Sequence, residues 1–383
     1  MKILHTADIH LGKKPFGNRN FSNTRYLDYF IAFEKLIDRA IEEDVDLFIV
    51  AGDLFDKKEL TPDVLLRTEK SFVKLKEKGI KAYIIEGNHD SNNEISNSWI
   101  KYLESKELIL RGYYEVYDSE YKFNKIEMKG INLYGIGYPG FAIDEVLENL
   151  AETLNPNEKN IVVVHTALGG GEYLPGLAKS ESINKLKDKA IYVAGGHMHS
   201  YLAYPKENPF FFIPGSPEYW NVLKEKSDIK GCILFDTDTL KSKFLEIECR
   251  KRIKLDFIPK TDEIEEEFRK FARELKLTGE ELVIVKVKSN KYININEFEN
   301  ILEEAGALKG YIEVKNHSIK IDEEEVENYS VTEIEKNIIE SWEIFKEPEK
   351  IVKYLQTLKM YSEEKERGED FMLLFDQMLE NEI

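Results

Sequence analysis

The stretch AYIIEGNHD, residues 82–90, decides how the chain is read. Its first four residues are a short apolar run, which predicts a buried strand. The run gives way at Glu86 and Gly87, and Asn88, His89 and Asp90 follow at once. Polar side chains are thereby set at the carboxyl end of a strand, where open α/β sheets hold their ligands. Working outward, the same form recurs. Residues 2–6 lead into Asp8-Ile9-His10, 47–51 into Gly52-Asp53, 161–164 into His165, and 191–194 into Gly196-His197-Met198-His199. Residues 132–136 are a further apolar run. Between these runs Tyr26, Phe30, Phe33, Ile37 and Ile41 recur at helical spacing. Strands alternating with helices predict a layered α/β domain.

Each segment alone says little. A Gly-Asp pair is usually a turn, and a lone His at a strand end is usually a hydrogen-bonded core residue. Five such segments in one chain are specific, because one chemistry needs them all. Two divalent cations about 3.5–4 Å apart can clamp the attacking and leaving oxygens of an in-line displacement at phosphorus. Holding them so close requires a bridging anion, which one carboxylate supplies. Mixed imidazole, carboxylate and amide ligands suit first-row metals, and no Cys lies near any of the segments. Glycines beside the ligands let the backbone turn sharply.

Composition bounds the rest. The 383 residues predict two or three domains, and 42% hydrophobic residues suffice for a buried core. Only Cys232 and Cys249 are present, which fits a reducing cytoplasm and implies no disulfide framework. No apolar run reaches the length of a membrane span, and MKILHTADIH, interrupted by Asp8, is too short for a signal peptide. The net charge of −18 excludes a simple basic nucleic-acid binder. That charge is uneven: residues 1–254 carry 36 Lys/Arg and 39 Asp/Glu, 255–330 carry 11 and 19, and 331–383 carry 7 and 14. After residue 250 strands are expected at 252–258, 281–287 and 311–314, with helices at 262–275 and 295–304. The domains are therefore read as 1–250, 251–330 and 331–383. The last holds three apolar stripes: Ile334, Ile338, Trp342 and Phe345; Ile351, Leu355 and Leu358; and Phe371, Leu374, Phe375 and Met378. These either pack on the chain's own body or dock another protein.

HTADIHLG, AGDLFD, GNHDS and GGHMHS together resemble the calcineurin-like metallophosphoesterase superfamily. They resemble most its SbcD branch of double-strand-break repair nucleases, whose eukaryotic and archaeal relatives are the meiotic-recombination-eleven proteins. PGSPEYWN at residues 214–221 resembles that branch's closing segment. The motifs cover roughly residues 1–236, and the remainder matches in arrangement only. The resemblance implies a two-sheet metallophosphoesterase sandwich with a small α/β capping domain and a C-terminal helical segment. It implies that Asp8, His10 and His199 hold one cation, that Asn88, His165 and His197 hold the other, and that Asp53 bridges them. His89 would act on the scissile phosphate, with Asp90 orienting its ring. The metal would be manganese, and the activity exonuclease and endonuclease action on DNA. A coiled-coil ATPase of the SbcC type would be the partner, bound through tail residues led by Trp342, Phe345, Leu355, Phe371 and Phe375. A homodimer would form through helices at 64–78 and 95–103, where Trp99 and Leu103 stand one turn apart. Thr166 after His165 departs from relatives that often carry Gly or Gln there.

Other polar residues read less sharply. His5, on a buried strand, is expected to be structural, and His317 has no companions. Lys13, Lys14, Arg19 and Arg25 follow the first motif in a loop containing Gly and Asn, where DNA contact is expected. Arg250, Lys251, Arg252 and Lys254 are either a solvated face or a second phosphate contact. Two rival readings stand beside the nuclease: a phosphatase or small-molecule phosphodiesterase with the same metals, and a scaffold that kept the fold without catalysis.

Overall fold

The structure is a computed structural model, and it describes residues 1–91, 97–118, 120–169, 174–315, 351, 353–358 and 374. The chain divides into two compact units, Met1–Arg250 and Lys251–Ile383.

The first unit is built on two six-stranded sheets. One runs in the order Lys241–Ile247, Lys230–Asp236, Lys2–Thr6, Leu47–Ala51, Lys81–Ile85, Leu110–Arg111. Its last four strands are parallel, and the first two form an antiparallel edge. The other runs Leu202–Tyr204, Phe211–Ile213, Tyr192–Gly195, Asn160–Val164, Ile131–Ile136, Lys125–Met128, with its four middle strands parallel. Alternate residues of a strand serve opposite faces. Ile3, Leu47, Ile49 and Tyr83 of the first sheet pack with Leu133, Ile161, Val163 and Tyr192 of the second, which makes the core between sheets. Leu4, Phe48 and Val50 face the other way, onto Phe30, Phe33 and Phe72 from the helices Arg19–Glu42 and Pro62–Glu77. Val162, Val164 and Phe211 likewise meet Leu147 and Leu150 of the helix Ile143–Thr153. Burial on both faces is why the central strands read as unbroken apolar runs. The strands 202–204 and 211–213, three residues each, were not foreseen.

The two sheets are locked near their middle by His5, which is fully buried. Its Nε2 meets the Gly195 carbonyl at 3.0 Å and its Nδ1 meets the Tyr192 hydroxyl at 2.9 Å. A carbonyl only accepts, so Nε2 carries the proton and Nδ1 accepts from the tyrosine. Burial pushes this imidazole down to about 3, and it stays neutral. The structural expectation for His5 agrees with this geometry.

In the second unit three parallel strands, Arg252–Phe257, Leu282–Lys288 and Lys309–Lys315, lie in sequence order. The helices Ile264–Glu274 and Ile295–Glu304 connect them, and Phe257, Phe268, Val285, Phe298 and Leu302 fill the core. In the tail, residues 353–358 are helical. Ile351 and Leu358 are buried and Leu355 is half-buried. Trp342, Phe345, Phe371, Phe375 and His317 lie outside the described residues.

One expectation needs correction. Leu103 does not stand with Trp99 on an open face. It is fully buried in the core of its own unit, and the Trp99 indole donates to the Lys58 carbonyl at 2.8 Å.

Candidate metal centre

Every segment singled out in the sequence arrives at the carboxyl end of a parallel strand, and the two sheets bring those ends together. Asp8 and His10 follow Lys2–Thr6, Asp53 follows Leu47–Ala51, and Asn88 and His89 follow Lys81–Ile85. His165 follows Asn160–Val164, and His197 and His199 follow Tyr192–Gly195. The first two loops are zipped by backbone bonds: Asp8 N–H donates to Gly52 O, Ile9 and His10 to Asp53 O, and Leu11 to Leu54 O. The contacts leave no room for ordinary side chains. A Cβ on Gly52, whose φ is +89°, would lie 2.2 Å from His165 Nδ1, and one on Gly87 would lie 2.1 Å from Asp53 Oδ1.

The donor atoms fall into two groups. Asn88 Oδ1 lies 3.0 Å from His165 Nε2 and 3.1 Å from His197 Nδ1. His10 Nε2 lies 3.2 Å from His199 Nε2, which is 3.9 Å from Asp8 Oδ1. Asp53 Oδ2 stands between them, 3.8 Å from His10 Nε2 and 3.5 Å from His165 Nε2. Metal–nitrogen and metal–oxygen distances of about 2.0–2.2 Å place neighbouring ligand atoms roughly 3.0–3.6 Å apart, so the spacings of 3.0–3.5 Å fit a shared cation, while those of 3.8 and 3.9 Å lie just beyond that range. Asp8, His10 and His199, and separately Asp8, Asp53 and His165, each offer atoms within 4.8 Å of one another. So do His10, Asp53 and His89, which puts His89 within geometric reach of a ligand role as well. Asp8 Oδ2 and His10 Nδ1 are buried with no hydrogen-bond partner. An orphaned carboxylate oxygen facing imidazoles is what a cation site looks like from the protein side.

Electrostatics agree. Burial pushes Asp8 up to about 6 and His197 down to about 4. Burial also opposes charge on Asp53 and His165, but each holds the other: Asp53 lies well below the carboxylate range and His165 is raised to about 9. A cluster that must share protons to sit together is one that divalent cations relieve.

Orienting contacts fix the imidazoles. His165 Nδ1 donates to the Ala51 carbonyl at 2.8 Å, which turns Nε2 to the centre. His199 Nδ1 is 3.4 Å from Glu225 Oε1, and Glu225 is held by buried Lys230 and by Asn221 N–H. His89 Nδ1 donates to the Asp56 carbonyl at 2.7 Å. Asp90 therefore does not orient the His89 ring, contrary to the expectation from the sequence. Its carboxylate accepts the backbone N–H groups of Leu54, Phe55 and Gly87 and ties two loops together. Asp56, Glu225 and Trp220 were missed. Two of them lie inside motifs already quoted, AGDLFD and PGSPEYWN, and that membership was the signal.

The basic loop divides. Lys14 and Arg19 are exposed, Lys13 is half-buried against Asp56 at 3.4 Å, and Arg25 is fully buried. Arg25 cannot touch DNA. It donates to Asp28 at 2.8 Å, Glu218 at 2.9 Å and the Tyr219 carbonyl at 2.8 Å, so it is a clamp between the first helix and the closing segment. Arg250 is paired with Asp28, and Lys251 with Glu281 at 3.3 Å.

Residues 1–201 match the family described as Calcineurin-like phosphoesterase. The chain is 30% identical to the DNA double-strand break repair protein Mre11 of Sulfurisphaera tokodaii, over 85% of this chain and 83% of that protein. It is 25% identical to the Mre11 of Sulfolobus acidocaldarius, over 85% of each. Among solved structures, a dimetal phosphatase from Danio rerio is similar at 10% identity and a TM-score of 0.41, covering 61% of this chain and 91% of that one. The chain belongs to the calcineurin-like phosphoesterases, in the branch of the Mre11 double-strand break repair proteins.

Proposed function

We propose that this chain is a metal-dependent nuclease of double-strand break repair, with exonuclease and endonuclease action at DNA ends and two divalent cations, Mn2+ in particular. The observation that carries the reading is the convergence of imidazole, carboxylate and amide donors at five strand ends, in two groups joined by Asp53. In this reading Asp8, His10 and His199 hold one cation, Asn88, His165 and His197 hold the other, and Asp53 bridges. Bound there, the pair would supply Lewis acidity at phosphorus and lower the pKa of water. The chain's own part is to position and to move a proton. With Nδ1 committed to the Asp56 carbonyl, His89 has Nε2 left for the scissile phosphate and, as imidazolium, donates from it to the leaving oxygen.

DNA is favoured over a small molecule by the loop that leaves the centre. Residues 9–19 contain Lys13, Lys14 and Arg19 and no Asp or Glu, in a chain whose net charge is −18. Lys14 and Arg19 are exposed, and the Phe16 ring between them is fully exposed. Cations for phosphates beside a bare aromatic face for a base is how single strands are held. The names of the relatives point the same way. Leu66 and Val73, two turns apart on Pro62–Glu77, remain exposed and support a homodimer through that helix. The tail would dock an SbcC-type coiled-coil ATPase.

Supercoiled plasmid and end-labelled duplexes, incubated with Mn2+ or with EDTA, test the reading against a nitrophenyl phosphodiester and a monoester. Mn2+-dependent cutting of DNA is expected. Preference for the monoester, with intact DNA, would move the chain to the phosphatase reading. A chain ending at residue 330 should keep basal nuclease activity and lose co-purification with the ATPase; unimpaired binding would remove the docking role.

A further inference from the structure

Trp220 lies in the closing segment and has no place in the ligand scheme, yet its ring stands against three imidazoles. The centroid distances are 5.2 Å to His199, 5.7 Å to His10 and 6.1 Å to His89. Its indole N–H donates to Asp56 Oδ1 at 3.1 Å, and the Lys13 ammonium sits 4.0 Å over its ring. The same Asp56 oxygen is 3.4 Å from Lys13 and 3.6 Å from His10 Nδ1, while the Asp56 carbonyl takes the His89 Nδ1 proton. The backbone that carries Trp220 is fixed in turn: the Tyr219 carbonyl accepts from buried Arg25 and from the Tyr29 hydroxyl, each at 2.8 Å.

We propose that Trp220 is a positioning residue: by its N–H bond to Asp56 and its packing on Lys13 it fixes the carboxylate that faces His10 Nδ1 across 3.6 Å and the backbone on which His89 is oriented. The inference rests on the metal reading above. Asp56 has one oxygen facing two cationic or imidazole partners, and a free carboxylate would swing to the Lys13 ammonium. The indole donor removes that freedom, because it reaches the oxygen from the closing segment while Lys13 is held over the ring itself. The rigid bicycle thus sets where Lys13 and Asp56 can stand together. Outer partners of metal-binding histidines are worth about 10–100-fold in metal affinity or activity.

The test uses the whole chain and Mn2+ itself. Trp220→Phe keeps a ring for Lys13 and removes the donor. Calorimetric titration is expected to show one of two Mn2+ sites weakened by roughly 10-fold or more, with the other unchanged and KM for a DNA duplex held. Asp56→Ala should weaken the same site, and the double variant should be little worse than Asp56→Ala alone. Wild-type affinity at both sites in Trp220→Phe would overturn the proposal, and so would multiplicative effects in the double variant. Failure of the wild-type chain to bind Mn2+ would instead sink the metal reading. If Trp220→Phe does not fold, the indole N–H resonance of Trp220 in the intact chain decides. Slow solvent exchange, lost in Asp56→Ala, is expected, and rapid exchange overturns the idea.

Discussion

The two units of the chain both run parallel strands joined by helices, and both close helices with left-handed residues, but the first also places such residues where parallel strands end. In the second unit the described residues with positive φ are Lys276, Gly279 and Gly306, all in helix-to-strand connections, where a left-handed residue closes a helix. The strand Leu282–Lys288 is followed by Ser289, whose hydroxyl accepts the Lys291 N–H at 3.0 Å and donates to the Lys291 carbonyl at 3.4 Å. In the first unit Asp8, His10, Asp53 and His197 all have φ between 51° and 71°, and all lie at the exits of strands. A left-handed residue with a Cβ costs about 1–2 kcal/mol. Such residues at a helix end are caps; four of them at strand ends mark a site where geometry has been kept against local preference. Parallel topology supplies the crevice, and strain at strand exits tells which crevice is used.

Substitutions can break that contrast or sharpen it. Asp53→Asn should have the largest effect, because Asn tolerates positive φ and only the bridging charge is removed. Loss of both cations and of DNA cutting is expected, read by metal analysis of the purified chain. Two retained equivalents would remove Asp53 from the bridge. His89→Asn should follow, with turnover down about 100- to 10,000-fold and Mn2+ stoichiometry unchanged by calorimetry. If one cation is lost instead, His89 is a ligand and the scheme must be redrawn. Arg25→Met tests the scaffold behind the strand exits. It leaves Glu218 buried without its guanidinium, while Asp28 keeps that of Arg250, and breaking such a pair costs about 3–5 kcal/mol. Urea unfolding should show it, and an unmoved midpoint would mean the clamp is dispensable. Phe16→Ala should be smallest: duplex ends bound about 5-fold more weakly, as loss of roughly 1 kcal/mol of stacking implies. Hydrolysis of a nitrophenyl phosphodiester should be unchanged. An anisotropy titration identical to wild type would free the loop of a DNA role.

Much of the first unit could be read directly. Strands buried on both faces declare themselves as apolar runs, and His165 follows its strand with no spacer and Asn88 after two residues. What could not be read was direction. Arg25 looks like Lys14 and Arg19 in the sequence, and only the fold shows that helical spacing turns it inward onto Glu218, which is far along the chain. Asp90 adjoins His89, but adjacent residues in a turn point apart, so its carboxylate serves backbone amides while a carbonyl from residue 56 holds the imidazole. Leu103 failed for the same reason: a one-turn partner of a half-exposed Trp can still face the core. The strands 202–204 and 211–213 are only three residues long, too short to stand out from their surroundings.

Gly52 and Gly87 bear on how such a centre can change over time. A Cβ at either would strike His165 or Asp53 at little more than 2 Å, so the mildest replacement available to most positions is there among the harshest. A survey of all single substitutions should record these two residues as no more tolerant than Asp53, though neither has a functional group. Descendants of this sequence can lengthen, recharge or trim the segments that leave the strand exits, but they inherit the exits themselves unaltered. Novelty in substrate choice is therefore confined to the rim.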